Sequence, residues 1–258
     1  MRCFLYISAL LLSFSLQAAD TKPTIAIIID DIGYHKSDFK LIDLPYALTF
    51  AVLPYTPYGQ SSARYAFSKQ KDVMLHMPMQ ASYHNASEEA GTLSKDMTKQ
   101  QVQHSLQAAL ADIPYAIGIN NHMGSLYTEL EQHMAWTMEY LQQRHLFFVD
   151  SVTTAKSTAN KYAAEYGVTS LSRHVFLDNE QTEAAIAKQF SQLLRIAKTR
   201  QHAIAIAHPY PETYKFLRKN LPLLKQQGIQ LVGISQLLPQ EHSVVAAGFT
   251  APAISAPQ

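Results

Sequence analysis

Short apolar segments alternate with longer amphipathic segments along most of the chain. The short segments are rich in β-branched and aromatic residues and are followed by polar or proline-containing breaks, which is typical of buried strands in a parallel sheet. They predict strands at Thr24–Ile29, Ala47–Leu53, Asp72–Leu75, Tyr115–Ile119, Leu146–Val149, Val168–Leu171, Ala203–Ala207 and Ile229–Gly233.

The amphipathic segments between these strands predict helices. In 180–199, for example, apolar residues recur at helical spacing and would form one stripe that faces the core. The predicted helices are Gly59–Lys69, Thr98–Asp112, Glu129–Gln143, Thr158–Tyr166, Glu180–Thr199 and Glu212–Gln227.

Seven or eight such strand–helix units predict an α/β fold, and in particular a closed or nearly closed (β/α) barrel over residues 22–238. An open, doubly wound sheet has the same alternation and is the second interpretation. Neither GxGxxG nor GxxxxGKS/T follows the first strand, so the common nucleotide-binding sites are unsupported. Two stretches break the rhythm: Pro78–Met97, expected to be a loop over part of the site, and 239–258, expected to be a disordered tail.

The first residues have the pattern of an export signal. Arg2 precedes the apolar run Phe4–Leu16, and small residues end the segment at Ala19. We therefore expect 1–19 to be a signal peptide that is removed on export to the periplasm. The apolar run is shorter than the roughly 20 residues that a membrane-spanning helix needs, which argues against an uncleaved anchor.

Charge and cysteine content narrow the range of functions. Lys and Arg number 21 against 20 for Asp and Glu, and this near-neutrality argues against binding to a nucleic-acid backbone. The single cysteine, Cys3, lies inside the predicted signal peptide, so the predicted mature chain has neither disulfides nor thiol chemistry.

Ionisable residues come at the carboxyl ends of five predicted strands. In a barrel these ends meet at one mouth, where several strands contribute catalytic residues. A single residue of this kind is usually a surface group or a helix cap, but the same feature at five ends indicates a shared site. The residues are Asp30 and Asp31, His76, His122 after Asn121, Asp150, and His208.

This combination of imidazoles and carboxylates suits a metal-dependent hydrolase. Two neutral imidazoles and one carboxylate leave an open position on a divalent metal, as in hydrolytic zinc sites. The same ligand types also describe non-haem iron centres, so they do not fix the metal. A second carboxylate is then available as a base, and a further histidine as an acid.

Several motifs resemble those of the NodB-type polysaccharide deacetylases. The paired acids in 27–33 resemble the first motif of that superfamily, 48–52 resembles its second strand, and 206–209 resembles its late histidine motif. The chain is more closely similar to the divergent polysaccharide deacetylase family of bacterial envelopes, over about residues 22–238. The segments that carry this closer similarity are Asn121–Ser125, Val149–Ser151, Arg173–Asp178 and His208–Pro209.

The resemblance implies roles for individual residues. By motif match, Asp31 and His76 would be metal ligands, Asp30 the catalytic base and His208 the general acid. It also implies a divalent metal and a polysaccharide partner. The ligand types make zinc the expected ion, and the predicted periplasmic location makes a peptidoglycan-type glycan the expected partner.

The chain departs from the superfamily pattern at one ligand. Gln80 stands where the ordinary deacetylases have the second histidine of a pair, and we assign the missing ligand to His122 by its chemistry. We expect Asp150 to orient His208, although Asp150 has the alternative of capping the following helix. Arg173 is expected to hold an acid in place.

Three functions fit these observations. The first is removal of acetyl groups from N-acetylated sugars of an exported polysaccharide. The second is a glycan-binding or regulatory envelope protein that has lost turnover, which Gln80 favours. The third is a metal-dependent hydrolase of a non-glycan amide or ester. Sugar rings would stack in either of the first two cases on the tyrosines that follow strand ends, Tyr34, Tyr55, Tyr58, Tyr83 and Tyr127.

Overall fold

The computed structural model describes residues 22–83 and 89–239. The predicted signal peptide lies outside the described residues, as do 84–88 of the predicted loop and all but the first residue of the predicted tail. Within the described ranges, no helix is both long enough and apolar enough to cross a membrane.

The described residues form one sheet of nine strands, and every pair of neighbours is parallel. The strands are β1 (Thr24–Ile32), β2 (Thr49–Val52), β3 (Asp72–Met79), β4 (Ala116–Met123), β5 (Phe147–Asp150), β6 (Ser170–Ser172), β7 (Val175–Phe176), β8 (His202–Ala207) and β9 (Gln230–Leu231). Their order is β6-β5-β4-β3-β2-β1-β8-β7, and β9 pairs with β1 beside this path.

Helices connect the strands and bury their apolar stripes against the outer face of the sheet. The α-helices are α1 (Phe39–Ile42), α2 (Gly59–Ser68), α3 (Lys99–Asp112), α4 (Glu131–Gln143), α5 (Ala159–Glu165), α6 (Glu183–Arg200) and α7 (Pro211–Asn220). Short 3-10 helices lie at Lys36–Asp38, Tyr127–Glu129, Leu221–Gln227 and Ile234–Leu237.

This architecture confirms the predicted α/β barrel. The two ends of the strand order, β6 and β7, are separated in the chain by Arg173 and His174 alone, yet they form no ladder with each other within the described residues. The barrel therefore has one seam, at β6 and β7, and the open, doubly wound alternative is wrong.

Strand ends differ most from the sequence prediction. β1 continues to Ile32, β3 to Met79 and β4 to Met123, several residues beyond the predicted ends. The polar residues that were expected to follow these strands are thus part of them, and the ladder between β3 and β4 pairs His76 with Asn120 and Pro78 with His122. Apolar periodicity missed this because the strands continue through polar side chains that face the mouth.

Two further differences have local causes. β7 has only two residues, too few to produce a periodic signal. The predicted helix Glu212–Gln227 ends as an α-helix at Asn220 and continues as a 3-10 helix, because Pro222 lacks the N–H that an α-helix requires and its ring clashes with the preceding turn.

Side-chain alternation along the strands separates a helix-facing core from the barrel interior. In β1, Ile25 and Ile27 pack with residues of the helices, whereas Ala26 and Ile28 pack with interior residues of other strands, including Met74 and Ile206. Two positions further along the chain come Asp30 in β1, His76 in β3 and His208, which directly follows β8. The interior face of the sheet therefore becomes polar at the carboxyl end.

The last described segment closes the opposite, amino-terminal end of the barrel. Ile234 and Leu238 pack with the interior apolar residues. The backbone N–H of Ile234 donates to Thr49 Oγ1 at 3.0 Å, and that of Ser235 donates to Asp72 Oδ2 at 2.8 Å. These contacts attach the segment to the starts of β2 and β3.

Candidate functional site

Three potential metal ligands converge at the mouth of the barrel. His122 Nδ1 lies 2.9 Å from Asp31 Oδ1 and 3.1 Å from His76 Nε2. His76 Nε2 also lies 3.1 Å from Asp31 Oδ1, so the three donor atoms form a compact triangle. The structure thus brings together the three residues that the sequence analysis proposed as ligands.

A β-bulge in β1 turns two successive carboxylates toward the same cleft. The register between β1 and β2 shifts between Ile29 and Ile32, and Asp31 has a φ of 57°. In a regular strand Asp31 would face away from Asp30, but the extra residue of a bulge interrupts that alternation. Ile32 accordingly packs with the helix-facing core, as Ile29 does.

The donor geometry fits a small divalent cation. Bonds of about 2.0–2.2 Å from an ion to His nitrogen and Asp oxygen, at angles of about 90–109°, put the donor atoms about 2.9–3.5 Å apart. The observed separations of 2.9, 3.1 and 3.1 Å lie within that range. Lone pairs that converge in this way repel one another unless a proton or a metal lies between them.

Asn120 links one ligand to the second carboxylate. The ladder between β3 and β4 places Asn120 opposite His76, and both side chains are buried. His76 Nδ1 donates to Asn120 Oδ1 at 2.9 Å, while Asn120 Nδ2 donates to Asp30 Oδ1 at 2.8 Å. This bonding puts the proton of neutral His76 on Nδ1 and leaves the Nε2 lone pair directed at the triangle.

The two carboxylates differ in their electrostatic environment. Burial raises the pKa of Asp30, although the imidazoles of His76 and His208 and the Asn120 amide oppose this. Burial also acts to raise the pKa of Asp31, but the His122 and His76 rings directed at it hold that pKa well below its usual range. Asp30 is therefore the better proton acceptor and Asp31 the better permanent anion.

His208 stands on the other side of the triangle, with Nε2 3.9 Å from Asp31 Oδ2. Its Nδ1 lies 2.8 Å from Asp178 Oδ1, and its backbone N–H donates to Asp178 Oδ2 at 2.7 Å. Thr213 Oγ1 donates to the same carboxylate at 2.6 Å. Burial would lower the pKa of His208, but Asp178, with help from Asp31 and Asp30, raises it to about 9. The imidazole is thus protonated near neutral pH and can donate a proton from Nε2.

A cleft of about 370 Å³ gives access to these groups. Asp30, Asp31, His76, His122 and His208 all line it. Its remaining lining residues are polar or aromatic except for Met123: Tyr83, Asn121, Met123, Ser125, Ser151, Thr153, Phe176 and Asn179. One acceptor, one donor and one cluster of metal-binding atoms therefore face a single space, the combination that hydrolysis of an amide requires.

A sequence profile of the divergent polysaccharide deacetylases matches residues 27–238. The chain belongs to the divergent polysaccharide deacetylase family. It is 40% identical over 238 residues to an uncharacterized protein of Haemophilus influenzae, and the alignment covers 92% of this chain and 83% of that protein. The resemblance drawn from the motifs is thereby confirmed.

Solved structures show the same fold. An uncharacterized protein of Agrobacterium tumefaciens, ATU2773, has a TM-score of 0.81 and 24% identity, with 86% of this chain and 91% of that chain covered. The peptidoglycan deacetylase PdaC of Bacillus subtilis has a TM-score of 0.51 and 13% identity, with 88% and 94% covered. At such identities the likeness is one of fold, and it supports the NodB-like barrel.

Two residues predicted to act in catalysis make other contacts in this member of the divergent deacetylase family. Asp150 does not orient His208, because interior-facing Phe147 and Val149 put Asp150 on the opposite face of β5. Its Oδ1 instead accepts the backbone N–H of Val152 at 2.8 Å. The expected cap on the following helix is also absent, since that helix has Thr158 at its N-cap.

Arg173 donates hydrogen bonds to backbone carbonyls rather than to an acidic side chain. Its Nε donates to the carbonyl of Ser151 at 2.6 Å and Nη2 donates to that of Val152 at 2.9 Å, while the guanidinium lies 3.7 Å from the ring centre of Phe176. Val152 has a φ of 50°, which is strained for a β-branched residue. Arg173 and Asp150 therefore fix one strained turn at the rim of the cleft.

Gln80 lies apart from the ligand triangle. Its side-chain oxygen accepts the backbone N–H of Lys95 at 2.8 Å, and its carbonyl accepts the N–H groups of Leu126 and Tyr127. Gln80 thus joins the loop after β3 to the segment after β4. The position at which the ordinary deacetylases have their second histidine thus has a structural role in this chain, and the third member of the triangle, His122, comes from the neighbouring strand β4.

Two residues of the site, Asn120 and Asp178, were not predicted from the sequence. Asn120 carries no charge and directly precedes the Asn121–Ser125 motif. Because side chains alternate along a strand, Asn120 lies on the same interior face as His122, two positions later. Asp178 belongs to the segment 173–178 that carried the family resemblance, and it follows the short strand β7. An acid just past a strand that borders β8 was the available signal for a partner of His208.

Proposed function

We propose that the protein is an exported, metal-dependent hydrolase that removes acetyl groups from N-acetylated sugars of an envelope polysaccharide. The observation that carries this proposal is the cleft in which Asp31, His76 and His122 converge between Asp30 and His208. Membership of the divergent polysaccharide deacetylases supports the substrate class, as does a fold shared with a peptidoglycan deacetylase.

The ligand triangle would hold the metal. Two imidazole nitrogens and one carboxylate oxygen are a common ligand set of hydrolytic zinc sites, which is why we propose zinc. When bound, such an ion supplies Lewis acidity toward the amide carbonyl and makes water more acidic. Asn120 keeps the Nε2 atom of His76 unprotonated and therefore able to bind it.

Asp30 and His208 would divide the proton transfers. Asp30 takes a proton from the attacking water as the oxygen bonds to the acetyl carbon. His208, protonated and held by Asp178, gives its Nε2 proton to the sugar nitrogen as the carbon–nitrogen bond breaks. Acetic acid and a free amine are the products, and the acid gives its proton to the amine or to solvent. One proton passes from Asp30 back to His208 to restore the starting state.

The test is acetate release from N-acetylated oligosaccharides by the purified protein after chelation and after reloading with zinc. Release should depend on the metal, and Asp30→Asn should lower it by about 10²–10⁴-fold while metal binding persists. Asp178→Asn should lower it too, through His208. Metal-loaded, folded wild-type protein that releases no acetate from any member of a glycan panel would contradict the proposal.

A glycan-binding protein without turnover is the second candidate. Gln80, in place of a ligand histidine, is the observation that favours it. In the same panel this candidate predicts retention of glycan by the metal-loaded protein with no acetate released. Turnover of simple esters alone would favour instead a hydrolase of non-glycan substrates.

We also propose that the protein acts in the periplasm after removal of residues 1–19. The support is the apolar run Phe4–Leu16 and the small residues that end at Ala19. N-terminal sequencing of the periplasmic fraction should return a chain that begins at or near Asp20. A membrane-bound form that still begins at Met1 would contradict export with cleavage.

A further inference from the structure

A second cavity, larger than the cleft, opens beside the ligand triangle. Its volume is about 810 Å³, and Asp31 lines both spaces. One wall is the segment from Tyr34 to Leu41 after β1, and the other is the segment from Pro209 to Arg218, which contains most of α7. A molecule that reaches the triangle can therefore extend into this cavity without leaving the protein surface.

The aromatic and proline residues that line the cavity suit a sugar ring. Tyr34, Tyr210 and Tyr214 line it together with two prolines, Pro209 and Pro211. Aromatic faces and proline rings offer flat apolar surface on which the C–H face of a pyranose can pack. The Tyr34 hydroxyl already donates to the carboxylate of Glu89, so Tyr34 offers the face of its ring rather than its hydroxyl. Tyr34 is 40% exposed, so its ring is open to a ligand.

The charges around the cavity are mostly positive. Lys40, Lys215 and Arg218 line it, and the only acidic group among the described lining residues is Asp31, which is engaged with His76 and His122. Lys215 lies 3.8 Å from Glu212, but within the described residues neither Lys40 nor Arg218 forms an ion pair with a carboxylate. Two unpaired cations beside aromatic rings are arranged to attract an anion.

We propose that this cavity binds an acidic saccharide unit, one that bears a carboxylate or a phosphate, next in the glycan to the unit whose acetamide enters the cleft. The inference rests on the proposed function and specifies its substrate class. Stacking on the tyrosines would hold the ring, and Lys40 and Arg218 would bind the acidic group. Neutral glycans of the same length would then bind more weakly.

The test compares N-acetylated oligosaccharides of one length that carry a carboxylate, the carboxyl-reduced form, or a phosphate on alternate units. Binding is measured by calorimetry on the chelator-treated protein, so that no ligand is consumed. The acidic forms should bind about tenfold more tightly than the reduced form, and added salt should diminish this preference. The carboxylate and phosphate arms identify which acid the cavity prefers.

Variants show which side chains cause the tighter binding of acidic oligosaccharides. Lys40→Gln combined with Arg218→Gln should abolish most of it, whereas Lys198→Gln, an exposed lysine in the last turn of α6 at the other end of the barrel, should leave it intact. All three side chains are exposed, so circular dichroism should show unchanged folding. Equal binding of acidic and reduced forms, no binding of either, or a preference that survives the double variant would overturn the inference.

The same experiment separates this inference from the proposed function. Acetate release at equal kcat/KM from acidic and reduced oligosaccharides would leave the deacetylase intact and remove the acidic subsite. Preferential binding of acidic forms without acetate release from the metal-loaded protein would retain the subsite and remove the deacetylase.

Discussion

Asn120 donates a hydrogen bond of 2.8 Å to the buried carboxylate of Asp30, and its other side-chain atom accepts from His76. Asn120→Ala removes both bonds, so the tautomer of His76 and the orientation of Asp30 are no longer fixed. We expect metal affinity and acetate release each to fall by about 10- to 100-fold. Asn160→Ala, which removes an exposed amide of α5, is the matched control and should change neither. Unaltered metal affinity in folded Asn120→Ala protein would show that His76 needs no such support.

His122 and Gln80 provide a direct comparison of ligand and structural roles. His122→Ala should weaken metal binding as much as His76→Ala does, because each removes one of three donor atoms. Gln80→Ala should leave the metal affinity nearly unchanged, since its side chain accepts a hydrogen bond from the backbone of Lys95 and is not one of the three ligands. Metal titration with a chromophoric chelator measures all three. Full occupancy in folded His122→Ala protein would end the assignment of His122.

The contact between Asp178 and His208 should be visible in a titration. In metal-depleted protein, the NMR signal of the His208 ring should report a pKa near 9, and Asp178→Asn should bring it down toward the ordinary value of 6.5. Asp150→Asn is the control and should leave the value unchanged. An identical pKa in wild type and Asp178→Asn would contradict the pairing.

The same contact makes stability depend on pH. Because the folded-state pKa of His208 is raised, the contact with Asp178 stabilises the fold fully below about pH 6.5, and this contribution is lost as the pH rises through about 9. Urea unfolding should therefore show a gap between wild type and Asp178→Asn that narrows from pH 6 toward alkaline pH.

Arg173 should matter for the rim of the cleft and for stability. Arg173→Ala removes two hydrogen bonds to the carbonyls of Ser151 and Val152 and should destabilise the protein by about 1–3 kcal/mol. Arg195→Ala, at an exposed position of α6, should cost less than about 0.5 kcal/mol. Urea denaturation measures both changes. If Arg173 were instead the partner of an acid in catalysis, acetate release would collapse at temperatures where the variant is fully folded.

Position 118 requires a glycine because the ring of Phe147 leaves no room for a side chain. A Cβ atom at Gly118 would lie 2.6 Å from two carbons of that ring, inside the barrel where neither group can move away easily. Gly118→Ala should destabilise the protein by about 1–3 kcal/mol through overpacking. Adding Phe147→Leu makes room and should recover part of the loss relative to the sum of the two single changes. Strictly additive losses would show that the ring is not the obstacle.

The barrel and the nearness of Asp31, His76 and His122 could be predicted from the sequence for one physical reason, whereas the ligand roles of these residues were assigned by the family resemblance and, for His122, by its chemistry. Parallel strands that alternate with helices put their carboxyl ends at one mouth, so residues such as Asp31 and His76, 45 positions apart, had to be neighbours. The prediction was wrong for Asp150, where the face of the strand determines whether a side chain enters the cleft. Asp150 was predicted to be a site residue because it lies at a strand end. Val149 faces the barrel interior, so the next residue, Asp150, lies on the opposite face of the strand, away from the cleft.

A second source of error was that site residues were predicted mainly from the charge of their side chains. Asn120 connects two ionisable groups without being one, and Arg173 carries a charge but uses it on backbone carbonyls. The bulge at Asp31 was equally hidden, because nothing in two adjacent acids indicates that the strand interrupts its alternation between them. These features depend on register and pairing, which single-sequence periodicity does not contain.

The position of β1 sets the order in which the fold can be completed. β1 is the first strand among the described residues, yet two of its neighbours, β8 and β9, follow about 180 to 200 residues later in the chain, and the segment that closes the amino-terminal end of the barrel comes later still. Contacts between such distant parts of a chain form slowly, so the nascent protein cannot bury its interior until nearly the whole domain has been made. Under the proposed export, a translocase that threads extended polypeptide would gain time from that delay before stable structure could block passage.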